Sequence, residues 1–164
     1  MTIYIFGYGS LMNMKENSRE LENPLKRKVW PVLVTGLKRT LNVGVADNTY
    51  KVFGVKDMAN KSITCNGILF AVSDDELDNI IHRERNYTAK VLKKSRILFN
   101  YTKNNKNINF TFKPNDEIIC FYPKAKYSLT QKQALALPVR KNYLPICLEG
   151  AKAISDEFLS DFLK

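Results

Sequence analysis

Thr2-Ile3-Tyr4-Ile5-Phe6-Gly7-Tyr8-Gly9-Ser10-Leu11-Met12 places five β-branched or aromatic residues directly before a loop punctuated by two glycines. The pattern predicts a strand over Thr2–Tyr8 that enters a tight turn. A dinucleotide fold needs a third glycine at position 12, where this chain has Met, and Lys15-Glu16-Asn17-Ser18 is a poor start for a tightly packed helix. A P-loop is excluded because no Gly-Lys-Ser/Thr follows. What remains is a loop, Gly7-Tyr8-Gly9-Ser10-Leu11, whose backbone N–H groups can point the same way and cradle a carboxylate or a phosphate. The plainer reading is a strand-to-loop turn whose glycines take positive φ.

Working outward, Val29–Leu37 reads as a second strand, with Pro31 marking an edge or bulge. Thr49–Val55 and Asn66–Val72 are further strands. Ser73-Asp74-Asp75-Glu76 is a capping-box signature for a helix running to about Asn86. Lys90–Phe99, Ile108–Lys113 and Glu117–Tyr122 read as strands, separated by the polar Asn100–Asn107 loop and the Pro114-Asn115-Asp116 turn. The last third is helical: Gln131–Leu137, Leu144–Glu149 with Gly150 after it, and Asp156–Leu163 behind Ser155. Strands come first and helices last, without βαβ alternation. The expected class is therefore α+β, a mixed and largely antiparallel sheet or barrel with helices packed outside.

The 164 residues favour one domain spanning 1–164. No apolar run is long enough to cross a bilayer, and the N-terminus has no basic region or cleavage site of a signal peptide. Cys65, Cys120 and Cys147 are odd in number and form no CxxC spacing. They suit buried thiols in a reducing compartment, so the expected location is the cytoplasm. The net charge of +10 comes from 26 basic and 16 acidic side chains spread along the chain. No RNP, KH or zinc-finger pattern accompanies them, so the expected partner is not a nucleic acid. Oligomeric state is left open by the sequence. With His82 as the single histidine, no multi-histidine zinc site is available from this chain. His82 lies beside Arg83 and Arg85, and a lone histidine at a helix end reads as a surface residue.

Glu84 is the most informative residue. Leu77, Ile80, Ile81 and Glu84 fall at i, i+3, i+4 and i+7, which places a carboxylate on the apolar stripe of the capped helix. Burial there raises its pKa unless a cation opposes it, and a carboxyl tuned upward can accept and return a proton near neutral pH. The alternatives are a frayed helix end or a structural pair with an arginine.

Together these residues resemble a family. Phe6-Gly7-Tyr8-Gly9-Ser10-Leu11 is similar to the YGSL/YGSN loop of the γ-glutamyl cyclotransferases, a group that includes AIG2-like and glutathione-degrading ChaC-like proteins. His82-Arg83-Glu84-Arg85-Asn86-Tyr87 is similar to their R-E-x-x-Y segment, whose glutamate is catalytic. Val29-Trp30-Pro31 to Leu41-Asn42, and Gly67 to Val72, resemble the strands between the two motifs, so the likeness covers roughly residues 3–122. It departs where His82-Arg83-Glu84 replaces the Asp-x-Arg-Glu form of the ChaC branch, and this leaves the leaving amine open. The resemblance implies a small barrel-like mixed sheet ringed by helices, no cofactor and no metal. It also implies a small-molecule γ-glutamyl substrate, such as glutathione or a γ-glutamyl amino acid, converted to 5-oxoproline. Glu84 would be the acid–base residue, and Gly7, Tyr8, Gly9, Ser10 and Leu11 would bind substrate. Tyr122, at a strand end, is a candidate for a hydrogen bond to substrate or Glu84, beside the plainer reading of a core-edge tyrosine. The rival to an enzyme is a module of the same fold that binds γ-glutamyl or carboxylate ligands without turning them over.

Overall fold

Alternation along the strands sets the layers of the molecule. The computed structural model describes residues 1–102 and 110–164. Strand β1 (Ile3–Gly7) sends Tyr4 and Phe6 into one core and Ile5 into another. The same parity runs through β8 (Glu117–Pro123), where Ile118, Cys120 and Tyr122 join the first core and Ile119 and Phe121 the second. In β5 (Thr64–Val72), Leu69 faces one way and Ile68 and Phe70 the other.

Helices α1 (Asp74–Arg83), α3 (Tyr143–Ile154) and α4 (Asp156–Leu163) supply Ile80, Cys147, Ala151, Phe158 and Phe162 to the second core. The first core is closed by β2 (Trp30–Thr35) and by aromatic rings: Tyr4 meets Trp30, Phe110 and Phe112 edge-on. With β6 (Tyr87–Leu92) and β7 (Ile97–Leu98), the six-stranded order is β6-β8-β1-β5-β2-β7. Among the described residues of this sheet, only the β1–β8 pairing is parallel.

The sheet does not close into the expected barrel. β6 and β7 remain its two edges, and β3 (Leu37–Val45) pairs with β4 (Tyr50–Asp57) as a separate hairpin. One local feature marks the break. Gly36 has φ +67°, a left-handed turn that only glycine adopts cheaply, and it cuts the expected Val29–Leu37 strand from β3. The hairpin itself shifts register between Thr40 and Val43.

The expected Lys90–Phe99 strand is likewise split between the two edges. The Lys94–Arg96 3-10 turn breaks it, and Arg96 anchors the break by donating from Nε to Thr35 O (2.9 Å) and from Nη2 to Gly36 O (2.9 Å). Part of the expected Ile108–Lys113 strand lies outside the described residues, and Phe110–Lys113 are not in a strand.

The capping box is present. Ser73 Oγ accepts from Glu76 N (3.2 Å) and Glu76 Oε1 accepts from Ser73 N (3.0 Å). Glu76 also pairs with the Arg27 guanidinium, so the start of α1 is tied to the preceding 3-10 segments. Helix α2 (Gln131–Ala136) and α4 start where the sequence places them. Gly150 does not end a helix: α3 continues to Ile154. A Cβ at Gly150 would lie 2.8 Å from Asn13 N and 2.9 Å from Met12 C, so the glycine lets the loop after β1 press against α3. Among the described residues, no helix is long and apolar enough to cross a membrane.

Candidate active site

The loop after β1 is shaped by a single 3-10 turn. Met12 N donates to Gly9 O (3.1 Å) and Asn13 N to Ser10 O (3.0 Å). This geometry leaves the N–H groups of Ser10 and Leu11 without a carbonyl partner inside the turn. Leu11 is rooted in the second core and its carbonyl accepts from Asn17 Nδ2 (2.9 Å). The Tyr8 carbonyl accepts from Arg39 Nε (2.9 Å), and Arg39 also donates to Asn66 through Nη2 (2.8 Å to Oδ1). The loop is therefore held at both ends, by the buried Asn17 amide and by the partly buried Arg39 guanidinium. The glycines do not take positive φ: Gly9 sits at −131°, and among the described glycines only Gly36 is left-handed. What excludes a side chain at Gly9 is space, because a Cβ there would lie 2.8 Å from Tyr143 Oη.

Glu84 reaches the same place by a different route from the one the stripe suggests. Ile81 is 41% exposed, and α1 ends at Arg83, with Glu84 as its C-cap. Glu84 N donates to Ile80 O (2.8 Å), and Tyr87 N donates to Glu84 O (2.9 Å) as the chain turns back into β6. That tight reversal tucks the carboxylate inward, leaving its side chain 14% exposed. Burial pushes the Glu84 carboxyl up to about 7; Arg83 opposes the rise and Glu20 adds to it.

Arg83 organises the surroundings. Its Nε lies 3.7 Å from Glu84 Oε1, while Nη1 donates to Asn17 Oδ1 (2.6 Å) and Nη2 to Ser10 Oγ (3.2 Å). One guanidinium thus links the carboxylate to the loop.

Ser10, Leu11, Tyr8, Gly9 and Glu84 line one cavity of about 1500 Å³. Tyr87 and Tyr143 complete its inner wall with Phe53 and Phe121. The Tyr8 hydroxyl donates to Phe121 O (2.5 Å) and the Tyr87 hydroxyl to Phe53 O (2.6 Å), so both are committed to the fold. Gly7 stays in the sheet opposite Ile68 and does not line the cavity. Tyr122 is not brought to it either. It belongs to the first core, and its hydroxyl donates to Asp57 Oδ1 (2.7 Å), itself paired with Arg96. Strand parity decides this, since Phe121 and Tyr122 must point to opposite faces. His82 is exposed and away from the lining.

Arg39, Arg83 and Tyr143 are the residues sequence reasoning did not assign. Arg39 gives no local signal, because its partners lie 27 and 31 residues away. Among the described residues, no group of three or more His, Cys, Asp or Glu side chains is placed to hold a metal ion.

The raised pKa has a testable sign. Between the ordinary carboxylate value of 4.5 and about 7, folded Glu84 holds a proton that the unfolded chain has released. Its contribution to stability is complete below 4.5 and is lost as pH rises through 7. The difference in Tm between Glu84→Gln and the wild type is therefore expected to move in favour of the variant as pH rises from 4.5 to 8. A difference independent of pH would contradict the burial.

No family model matches this sequence, and no curated protein does. Solved structures do match. YkqA from Bacillus subtilis aligns over 97% of this chain with a TM-score of 0.64 and 17% identity; this chain spans 52% of its length. A structure described as gamma-glutamyl cyclotransferase aligns over 99% of this chain and 87% of its own, with a TM-score of 0.62 and 13% identity. A yeast γ-glutamyl cyclotransferase specific to glutathione gives 0.61 at 11% identity, covering 99% of this chain and 96% of its own. The fold of this chain is the γ-glutamyl cyclotransferase-like fold.

Proposed function

We propose that the protein is a γ-glutamyl cyclotransferase that releases 5-oxoproline from a γ-glutamyl substrate in the cytoplasm. The observation that carries this reading is the juxtaposition in one cavity of a largely buried Glu84, held near pKa 7, with the Ser10 and Leu11 N–H groups that the 3-10 turn leaves without a carbonyl of its own. The fold shared with solved cyclotransferases, one of them specific to glutathione, supports a small γ-glutamyl molecule as substrate.

The chemistry follows from those groups. The Ser10 and Leu11 N–H groups hold the α-carboxylate and bend the flexible chain so that its α-nitrogen approaches its own γ-carbonyl. Glu84 takes a proton from the α-ammonium group. The freed nitrogen forms a bond to the γ-carbon, closing a five-membered lactam, and the bond to the departing amine breaks. Glu84 returns that proton to the departing amine, so the carboxylate is regenerated, and the second proton that the ring nitrogen sheds as the lactam forms passes through solvent to leave the freed amine protonated. A base with pKa about 7 is suited to both transfers near neutral pH. Well-oriented intramolecular attack reaches effective molarities of about 10⁵–10⁸ M, so positioning by the loop is asked to supply more of the rate than proton transfer.

Incubation with glutathione, γ-glutamyl-alanine and a γ-glutamyl-lysine conjugate is expected to yield 5-oxoproline and the free amine in equal amounts from at least one of them. No 5-oxoproline from any of the three would leave a ligand-binding module as the better reading.

A further inference from the structure

The cavity is larger than a γ-glutamyl group needs, exceeding the roughly 300–1,000 Å³ typical of small-ligand sites. Its outer part is strongly basic. Arg19 comes from the segment after the Ser10–Leu11 loop, Arg85 from the turn beyond Glu84, and Lys126, Arg140 and Lys141 from the connections on either side of α2. All five are exposed, and among the described residues none has an ion-pair partner. The two other cations on the lining are already used: Lys15 pairs with Glu149 (3.2 Å), and Arg83 with Glu20 (3.4 Å) and Glu84. Glu16 and Asp47 are the acids on the lining that have no such pair, so the unpaired charge favours anions by five to two.

These cations stand outside the place where the γ-glutamyl group would sit. The α-carboxylate is met by backbone N–H groups at the inner end, next to Glu84, and the leaving amine must extend towards the mouth. We infer that the rim selects γ-glutamyl substrates whose leaving amine is polyanionic, a peptide carrying two or more carboxylates, over neutral or cationic amines. This rests on the cyclotransferase reading and adds the class of the leaving group. The physical basis is summed attraction between exposed charges. Each such pair is weak and screened by salt, so the effect is a graded preference and not an absolute requirement.

The test is a ladder of four probes that share the γ-glutamyl group and differ in the leaving amine: methylamine, alanine, aspartate and aspartyl-aspartate. At low salt, kcat/KM is expected to rise roughly threefold for each added negative charge. The rise should shrink in about 0.5 M salt, where the screening length approaches a few ångströms. Replacing Lys126, Arg140 and Lys141 together with Ala should flatten the ladder to within about twofold. An equal kcat/KM for all four probes in the wild type would overturn the inference while leaving the cyclotransferase reading intact. A full ladder surviving in the triple variant would also overturn it. If no probe yields 5-oxoproline, the ladder is read as Kd by calorimetry on the wild type. Affinity rising with charge then supports the anion-selective rim and sinks the enzyme, and flat or absent binding sinks both.

Discussion

Gly9→Val is expected to give a folded protein whose kcat/KM for 5-oxoproline release falls by roughly 10²-fold or more. The new Cβ would stand 2.8 Å from Tyr143 Oη and 3.8 Å from Phe53 Cβ. Neither neighbour can yield easily. Tyr143 lies in the first turn of α3 with its ring tilted against Phe53, and its hydroxyl accepts from Phe53 N (3.3 Å). Relief must come from the loop or from the inner wall of the cavity, and both position the substrate. A displacement of about 1 Å at a site built on orientation costs on the order of 10²-fold. Ser10→Ala removes only the contact from Arg83 Nη2 to Ser10 Oγ (3.2 Å) and leaves the backbone N–H in place, so its loss should be a few-fold. Steady-state assays of both variants, with melting curves alongside, check the pair. A Gly9→Val protein with wild-type turnover would remove the loop from the account.

The reason Gly9 matters was only half legible in the sequence. Two glycines after a strand announced a tight loop, yet the expected positive φ is absent, and the constraint comes from Tyr143, more than 130 residues away. Local signals read well because their physics is local. Ser73 and Glu76 form the expected capping box, Ser155 caps α4 by accepting from Phe158 N, and the strands expected over Thr2–Tyr8, Asn66–Val72 and Glu117–Tyr122 fall on β1, β5 and β8. Glu84 was found through a stripe that is imperfect, since Ile81 is exposed; the turn after the C-cap, not the helix face, buries the carboxylate.

Three features depended on contacts that no window of sequence contains. Gly150 looks like a helix stop until the backbone of Met12 and Asn13 is found against it. Tyr122 looks available until Asp57 is found opposite its hydroxyl. The sheet looks able to close until β3 is found paired with β4 in a separate hairpin.

Glu84→Gln is the second large effect. Glutamine keeps the shape and hydrogen-bonding capacity of the side chain but cannot take a proton from an ammonium group. Turnover is expected to fall by roughly 10²–10⁴-fold, in kcat more than in apparent affinity, because the Ser10 and Leu11 N–H groups are untouched. Stability should not suffer. Arg83 loses a long 3.7 Å contact but keeps Asn17, Ser10, Glu20 and the Glu16 carbonyl. Above pH 7 the variant also avoids a buried negative charge, so its Tm is expected to equal or exceed that of the wild type. A purely structural Glu84 predicts the reverse: a lower Tm, with kcat of the folded fraction nearly unchanged.

The measurement that separates these outcomes is 5-oxoproline release at saturating γ-glutamyl substrate, with wild type and Glu84→Gln compared at equal folded concentration and pH 7.5. The account predicts product from the wild type and a kcat at least 100-fold lower from the equally stable variant, in keeping with the loss of a general base. A stable variant that releases 5-oxoproline at the wild-type rate would contradict it.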